Sequence, residues 1–311
     1  MKRMTMVAAM AAVAFGAFAA EEEAEKEIAE GWSYEPGSGV SFDEQPIVSA
    51  EFGMDFDSKY LTYGFTDNND PILSPSAGLT FFDWVQFKVK GIYDVTRYGH
   101  KCGWGSRQWK MEELDPSVRL IHEFSPEDYE WLPTKVSFEF GYMYEYHPRA
   151  MGGAATGWAD TQFVWTEIGL PDLWLEPDLY LERDIDRDNG TYACLTIGHT
   201  FPLVDGENED DDPVLSFCPS FGQGIGNTSR MAGYCLRDDG TPLRHGGLMD
   251  STLRCDLTWA INDYVELSFY VAYVDFWFDR SIRESARRYE SSGRWDESYN
   301  FIGGLSLLVS F

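Results

Sequence analysis

Glu145 and His147 stand two residues apart at the end of an aromatic-rich alternating run, and they are this chain's nearest approach to a general acid–base pair. Hydrolysis would also need a nucleophile within reach of that base, and no serine lies at a suggestive spacing. His147 is accounted for without catalysis, as an interface residue on an aromatic rim, so no enzyme is expected. Asp184, Asp186 and Asp188, followed by Asn189 and Gly190, place carboxylates at alternate positions as half of a calcium loop would. Gly190 falls one place late for such a loop, and Leu195 stands where a bidentate glutamate is required. Asn189-Gly190 reads more simply as a hairpin turn needing positive φ. The acidic cluster from Asp205 to Asp212 reads as a solvated turn. No metal and no cofactor is expected.

The five cysteines are few and scattered, with no Cys-x-x-Cys spacing. Cys194 and Cys218 lie nearly symmetrically about Gly206, so an antiparallel hairpin centred there would bring them face to face as a disulfide. Cys102 and Cys235 fall on two long loops, where they either pair or stay free.

Charge is the remaining chemistry. Fourteen acidic and six basic residues fall on the wet parity of alternating runs or at their ends: Glu51, Asp55, Asp57, Lys59, Lys88, Lys90, Asp94, Arg119, Glu123, Lys135, Glu139, Glu145, Asp160, Glu176, Asp178, Glu182, Asp184, Arg254, Asp256 and Glu266. If those runs enclose a lumen, these residues line it, and an open lumen so lined would draw cations. Two readings stand side by side: a weakly cation-selective diffusion pore, or a narrow interior whose charges pair and plug it.

Such an interior must be built by strands. From Ile47 to Tyr60, Val48, Ala50, Phe52, Met54 and Phe56 share one parity against Ser49, Glu51, Gly53, Asp55 and Asp57. Between Thr134 and His147 the oily parity holds Val136, Phe138, Phe140, Tyr142, Tyr144 and Tyr146, the clearest alternation in the chain. The last run, Ser298 to Phe311, places Tyr299, Phe301, Leu305, Leu307, Val309 and Phe311 on one face. A strand that runs to the chain end would be an unprotected edge unless the first strand closes on it. The other runs are Ile72–Phe82, Trp84–Tyr98, Ser117–Phe124, Asp160–Leu170, Leu173–Asp184, Thr191–Phe201, Val214–Ser220, Leu253–Ile261 and Tyr264–Phe278. Twelve strands with alternately short and long connections predict an all-β, antiparallel up-and-down transmembrane barrel, with both termini on the short-turn, periplasmic side.

Composition agrees with that class. After Glu21 every apolar run is interrupted by charge, Gly or Pro, so a membrane could be crossed only by a closed barrel. Mean hydropathy is -0.33, which a barrel tolerates because half of each strand faces a polar interior. Aromatics make up 16% of residues, enough to furnish a girdle at each interface. The formal charge of -28 argues against nucleic acid as a partner, since phosphate binding needs a basic surface.

The chain opens with Met1-Lys2-Arg3, an Ala/Met/Val/Phe run and Ala17-Phe18-Ala19, then turns acidic at Glu21. A basic start, an apolar stretch too short to span and a small-x-small end predict a secretory signal cleaved after Ala19 or Ala20. Residues 21–46 read as an acidic flexible periplasmic leader and 47–311 as the barrel. Expected partners are outer-membrane lipids, the barrel-assembly machinery and small solutes; nothing fixes an oligomeric state.

Ser58-Lys59-Tyr60-Leu61-Thr62-Tyr63-Gly64-Phe65-Thr66, followed by Pro71 and Gly78, resembles the opening of the TorF porin family. That family shows a similar Ser-x-Tyr, an aromatic or Arg before Gly, an Asp/Asn-rich loop and a Pro entering the second strand. Its members usually carry Arg at the position of Tyr63. The resemblance covers some forty residues, and it implies an outer-membrane barrel with a pore role. Chains of this class commonly end on Phe and use that end in assembly, which implies such a role for Phe311.

Overall fold

Strand β1 (Val48–Asp57) turns Glu51, Asp55 and Asp57 to one side and its apolar residues to the other, and it has a partner along both edges. The computed structural model describes residues 48–96, 110–129, 131–148, 160–206, 213–235, 240–289 and 299–311. After β1 come a small hairpin, β2 (Tyr60–Thr62) and β3 (Phe65–Asn68), and then β4 (Ile72–Phe81), β5 (Val85–Asp94), β6 (Lys110–Phe124), β7 (Val136–Glu145), β8 (Thr161–Gly169) and β9 (Asp178–Asp184). The chain continues through β10 (Thr191–Gly198), β11 (Phe201–Val204), β12 (Leu215–Gly226), helix α1 (Thr228–Tyr234), β13 (Gly247–Asn262), β14 (Val265–Asp275), helix α2 (Arg280–Tyr289) and β15 (Asn300–Ser310).

Each wall strand is antiparallel to the next. The ring closes where β1 meets β15, with Phe52 opposite Val309 and Asp55 opposite Ser306. Strands β10 and β11 both pair with β12 in one register, Gly198 opposite Ser220 and Phe201 opposite Phe217, so they are a single wall strand interrupted at His199 and Thr200. The wall is therefore a closed barrel of twelve antiparallel strands, completed by the pairing of β10 with β12.

Strand alternation turns apolar side chains outward all round: Phe87, Leu120, Phe140, Leu179, Leu195, Leu253, Phe269 and Leu307 are all exposed. Large rings gather at the two ends. At the rim that carries Phe311 they are Phe82, Trp84, Trp131, Trp174, Phe201 and Tyr264, with Trp131 77% exposed. At the opposite rim Tyr273, Trp277, Tyr299 and Phe301 stack on one another, with centroids 5.0 to 6.1 Å apart for the pairs they form. Oily outside and polar inside is the inverse of a water-soluble barrel, and the two rings of aromatics are what amphipathic interfaces select. Phe311 lies between Phe52 and Tyr264, at 6.5 and 6.3 Å, and its backbone exchanges both hydrogen bonds with Ala50.

The well-packed apolar core sits inside the far rim. There the β2–β3 hairpin, α1, α2 and the outer ends of β10, β13 and β14 bury Phe65, Tyr192, Met231, Cys235, Leu243, Met249, Phe276 and Ile282 together. The hairpin turns inward through Tyr63 and Gly64, both at positive φ, 50° and 82°. Helix α1 starts where it does because the Asn227 side chain accepts from the backbone N–H of Arg230 and also of Thr191, tying the helix to β10.

Several expectations are corrected. The fourth wall strand begins at Lys110, not Ser117, and the weak ninth run extends to Gly226. The tenth begins at Gly247, not Leu253, so the connection between the ninth and tenth strands narrows to residues 227–246. The register set by that longer ninth strand separates the two cysteines expected to bridge: Cys194 faces Gly224, six positions along β12 from Cys218, and both thiols are free. Glu176 is not on a wall strand. It lies in the turn before β9, at φ 40°, where it accepts from the Thr200 amide and hydroxyl, both at 2.8 Å. Leader, signal segment and Cys102 lie outside the described residues.

Candidate functional site

The interior is built from the wet parity of each wall strand. On one side a chain of side-chain hydrogen bonds crosses five strands. Gln86 Nε2 donates to Thr80 at 3.0 Å, Arg119 Nε to Gln86 at 2.7 Å and Arg119 to Glu139 at 2.6 Å, while Trp165 Nε1 donates to the other Glu139 oxygen at 2.7 Å. Gly141 makes room for this, because any side chain there would occupy the space of the Trp165 ring. Lys88 pairs with Glu51 at 2.7 Å and Lys90 with Asp55 at 3.5 Å. Across the lumen Arg254 grips Asp256 with two nitrogens and lies 3.8 Å over the Tyr270 ring, whose hydroxyl donates to Asp57 at 2.5 Å.

Among the described residues, the bases on the inner wall between the rims, Lys88, Lys90, Arg119 and Arg254, are each already beside a carboxylate. Asp178, Glu182 and Glu145 share the inward parity, as does Glu266 near the rim that carries Phe311. The interior retains an excess of negative charge among the described residues.

At the far rim the hairpin and α1 fold into the barrel mouth. Arg230, 1% exposed, reaches Glu182 on β9 at 2.9 Å and Asp188 at 3.3 Å. Its guanidinium lies 4.5 Å over the Tyr63 ring, and the Tyr63 hydroxyl donates to the same Glu182 carboxylate. Burial holds the Tyr63 phenol well above its ordinary range, so it remains a donor. A guanidinium against two carboxylates and an aromatic face satisfies a charge that could not otherwise be buried.

The Asp184–Gly190 segment is a hairpin turn. Asp184 accepts from the backbone N–H groups of Asp186 and Arg187, Asp188 is engaged by Arg230, and Asn189 has φ 51°. Asp94 is buried near the same mouth and accepts from Thr96. His147 is corrected from an outward interface position: it is 7% exposed and points inward, with Nε2 3.4 Å from Glu113 and 3.2 Å from Glu145.

Sequence reasoning missed Glu113, Asp115, Asp67 and Arg230. Glu113 and Asp115 continue the parity of Arg119 backward through β6, a signal masked by Pro116, which lacks a ladder donor and reads as loop. Arg230 and Asp67 carried no signal, because inward folding of a loop leaves no period in the sequence.

No described protein family and no curated protein matches the chain. Among solved structures, an outer-membrane channel from Pseudomonas putida F1 is similar with a TM-score of 0.45 at 10% identity, covering 90% of this chain and all of that one. OprB of Pseudomonas putida is similar at 0.32 and 10% identity over 85% of this chain and 94% of that one. OpdK of Pseudomonas aeruginosa gives 0.34 and 10% over 79% and 58%. At that level of likeness the barrel assignment rests on this chain's own strand pairing.

Proposed function

We propose that this chain is an outer-membrane channel of the porin type, passing small solutes with a weak preference for cations through a lumen narrowed by a plug at the external mouth. The observation that carries this is the arrangement of the inner wall: its bases are each neutralised by a neighbour, and carboxylates remain in excess. A cavity lined by net negative charge raises the local cation concentration. The outward apolar band supports placement in lipid, with both termini periplasmic and the hairpin and helices external. The likeness of residues 58–66 to the TorF porin family agrees with that reading. In the same reading a signal segment directs the precursor across the inner membrane and is cleaved after Ala19 or Ala20, and the barrel-assembly machinery inserts the chain through the end that carries Phe311.

A second reading is favoured by the buried cluster at the mouth: a barrel kept closed, with a binding or envelope role. Phe65, Met231, Phe276 and Ile282 are at most 1% exposed, and each such side chain contributes roughly 1.5–3 kcal/mol through burial. One experiment separates the two. Refolded protein in a planar bilayer under a KCl gradient gives a steady current with a cation-biased reversal potential if the channel is open. Silence, where a known porin conducts, supports the closed barrel.

A further inference from the structure

The outer ends of β6 and β7 are held in register beyond the regular ladder by a bridge in which Leu114 and Tyr146 exchange both backbone hydrogen bonds at 2.9 Å. That register sets Glu113 opposite His147 and Asp115 opposite Glu145, all four on the inward parity. The donor atoms of Glu113, Glu145 and His147 all lie within 4.8 Å of one another, and Glu113 and His147 are both more than nine-tenths buried. The Tyr60 hydroxyl, from the inward hairpin, lies 3.0 and 3.2 Å from the two Glu113 oxygens and fixes that carboxylate's orientation.

Two further carboxylates close over the group. Asp67, 8% exposed, comes from β3; neither of its oxygens is in hydrogen-bond geometry with a donor among the described residues, the Thr62 hydroxyl lying close by. Asp115, also 8% exposed, has an oxygen with no hydrogen-bond partner and lies against Glu113. The bases in the neighbourhood are Lys90, which stands across from Asp115 and is shared with Asp55, and Arg187, which acts on Asp67 from the exposed β9–β10 turn. Three buried carboxylates, the part-buried Glu145 and an imidazole crowd together here with little positive charge between them, and a cation held among them would relieve that repulsion as protonation does.

We propose that Glu113, Glu145 and His147 bind a divalent first-row transition ion at the external mouth, with Asp67 and Asp115 neutralising and closing the site. Imidazole nitrogen together with carboxylate oxygen suits zinc, manganese or iron, whereas calcium and magnesium take oxygen alone. The ligands come from two wall strands and are oriented by a hairpin residue, so the ion would tie the plug to the wall. This holds whether or not the lumen conducts.

Zinc is the probe. Full-length protein refolded in detergent and stripped with EDTA is titrated with ZnCl2, desalted and assayed for bound metal. One Zn2+ per chain is expected. Glu145→Gln and His147→Gln should each weaken it by on the order of tenfold or more, and Tyr60→Phe by roughly tenfold through loss of the orienting hydroxyl. Heat-modifiable gel mobility shows whether each variant still forms the barrel. Because a variant can fail to fold, the unaltered protein is also loaded with Co2+, and a hyperfine-shifted ring proton from one histidine is expected in its NMR spectrum. Zinc that is not retained, zinc retained equally by His147→Gln, or a cobalt spectrum without a histidine signal would each overturn the site.

Discussion

The Arg230 guanidinium, carried on a seven-residue helix that hangs between two wall strands, lies 2.9 Å from the Glu182 carboxylate on β9. One ion pair thereby fastens the plug to the inner wall at a point buried from solvent on both sides.

Removing one partner of that pair leaves the other charge stranded. Arg230→Ala should cost about 3–5 kcal/mol and loosen the plug, whereas Arg230→Met combined with Glu182→Leu should recover only part of the loss, since Asp188 and the Tyr63 and Tyr180 hydroxyls still lose their partners. Denaturant unfolding in detergent measures both. Equal destabilisation by the single and double variants would show that the pair does not hold the plug.

Lys88 neutralises Glu51 at 2.7 Å on the inner wall. Lys88→Glu places two carboxylates side by side, adds negative charge to the lumen and should move the reversal potential further toward cations, while Glu51→Lys should move it the other way. Shifts of the same sign for both would mean that ions do not pass this wall.

Trp165 occupies the space that a side chain at position 141 would fill. Gly141→Val forces the indole off Glu139 and should destabilise the barrel by roughly 1–3 kcal/mol, as overpacking does. Its fluorescence should shift as the indole N–H loses its partner. An unchanged emission spectrum would place the ring elsewhere.

Cys235 caps α1 from within the mouth core, where burial pushes its thiol up to about 12. At pH 8 it holds almost no thiolate, and a maleimide mass tag should reach it only after denaturation. In the unreduced, denatured protein Cys194 and Cys218 should both take the tag. A tag-resistant pair at those two positions would restore the disulfide that the strand register excludes.

The twelve strands, their parity and their direction were legible in the sequence because a wall strand between lipid and a polar interior imposes a period of two on every residue, and residues 48–57, 136–145 and 300–310 obey it plainly. Turn lengths told the two rims apart for the same reason: tight connections such as Phe82 to Trp84 leave little room for anything else. The cross-lumen pairs followed only once register was known. A shift in the centre of the β10–β12 hairpin moves Cys194 from Cys218 to Gly224, and side-chain type cannot see that shift. The plug was decided by tertiary structure alone. Tyr60 and Asp67 lie on the inward hairpin and Arg230 on α1, segments set between wall strands, and their burial depends on fitting the mouth that twelve distant strands create. Periodicity reports what faces a boundary, and contacts between loops and walls have no such boundary to record them.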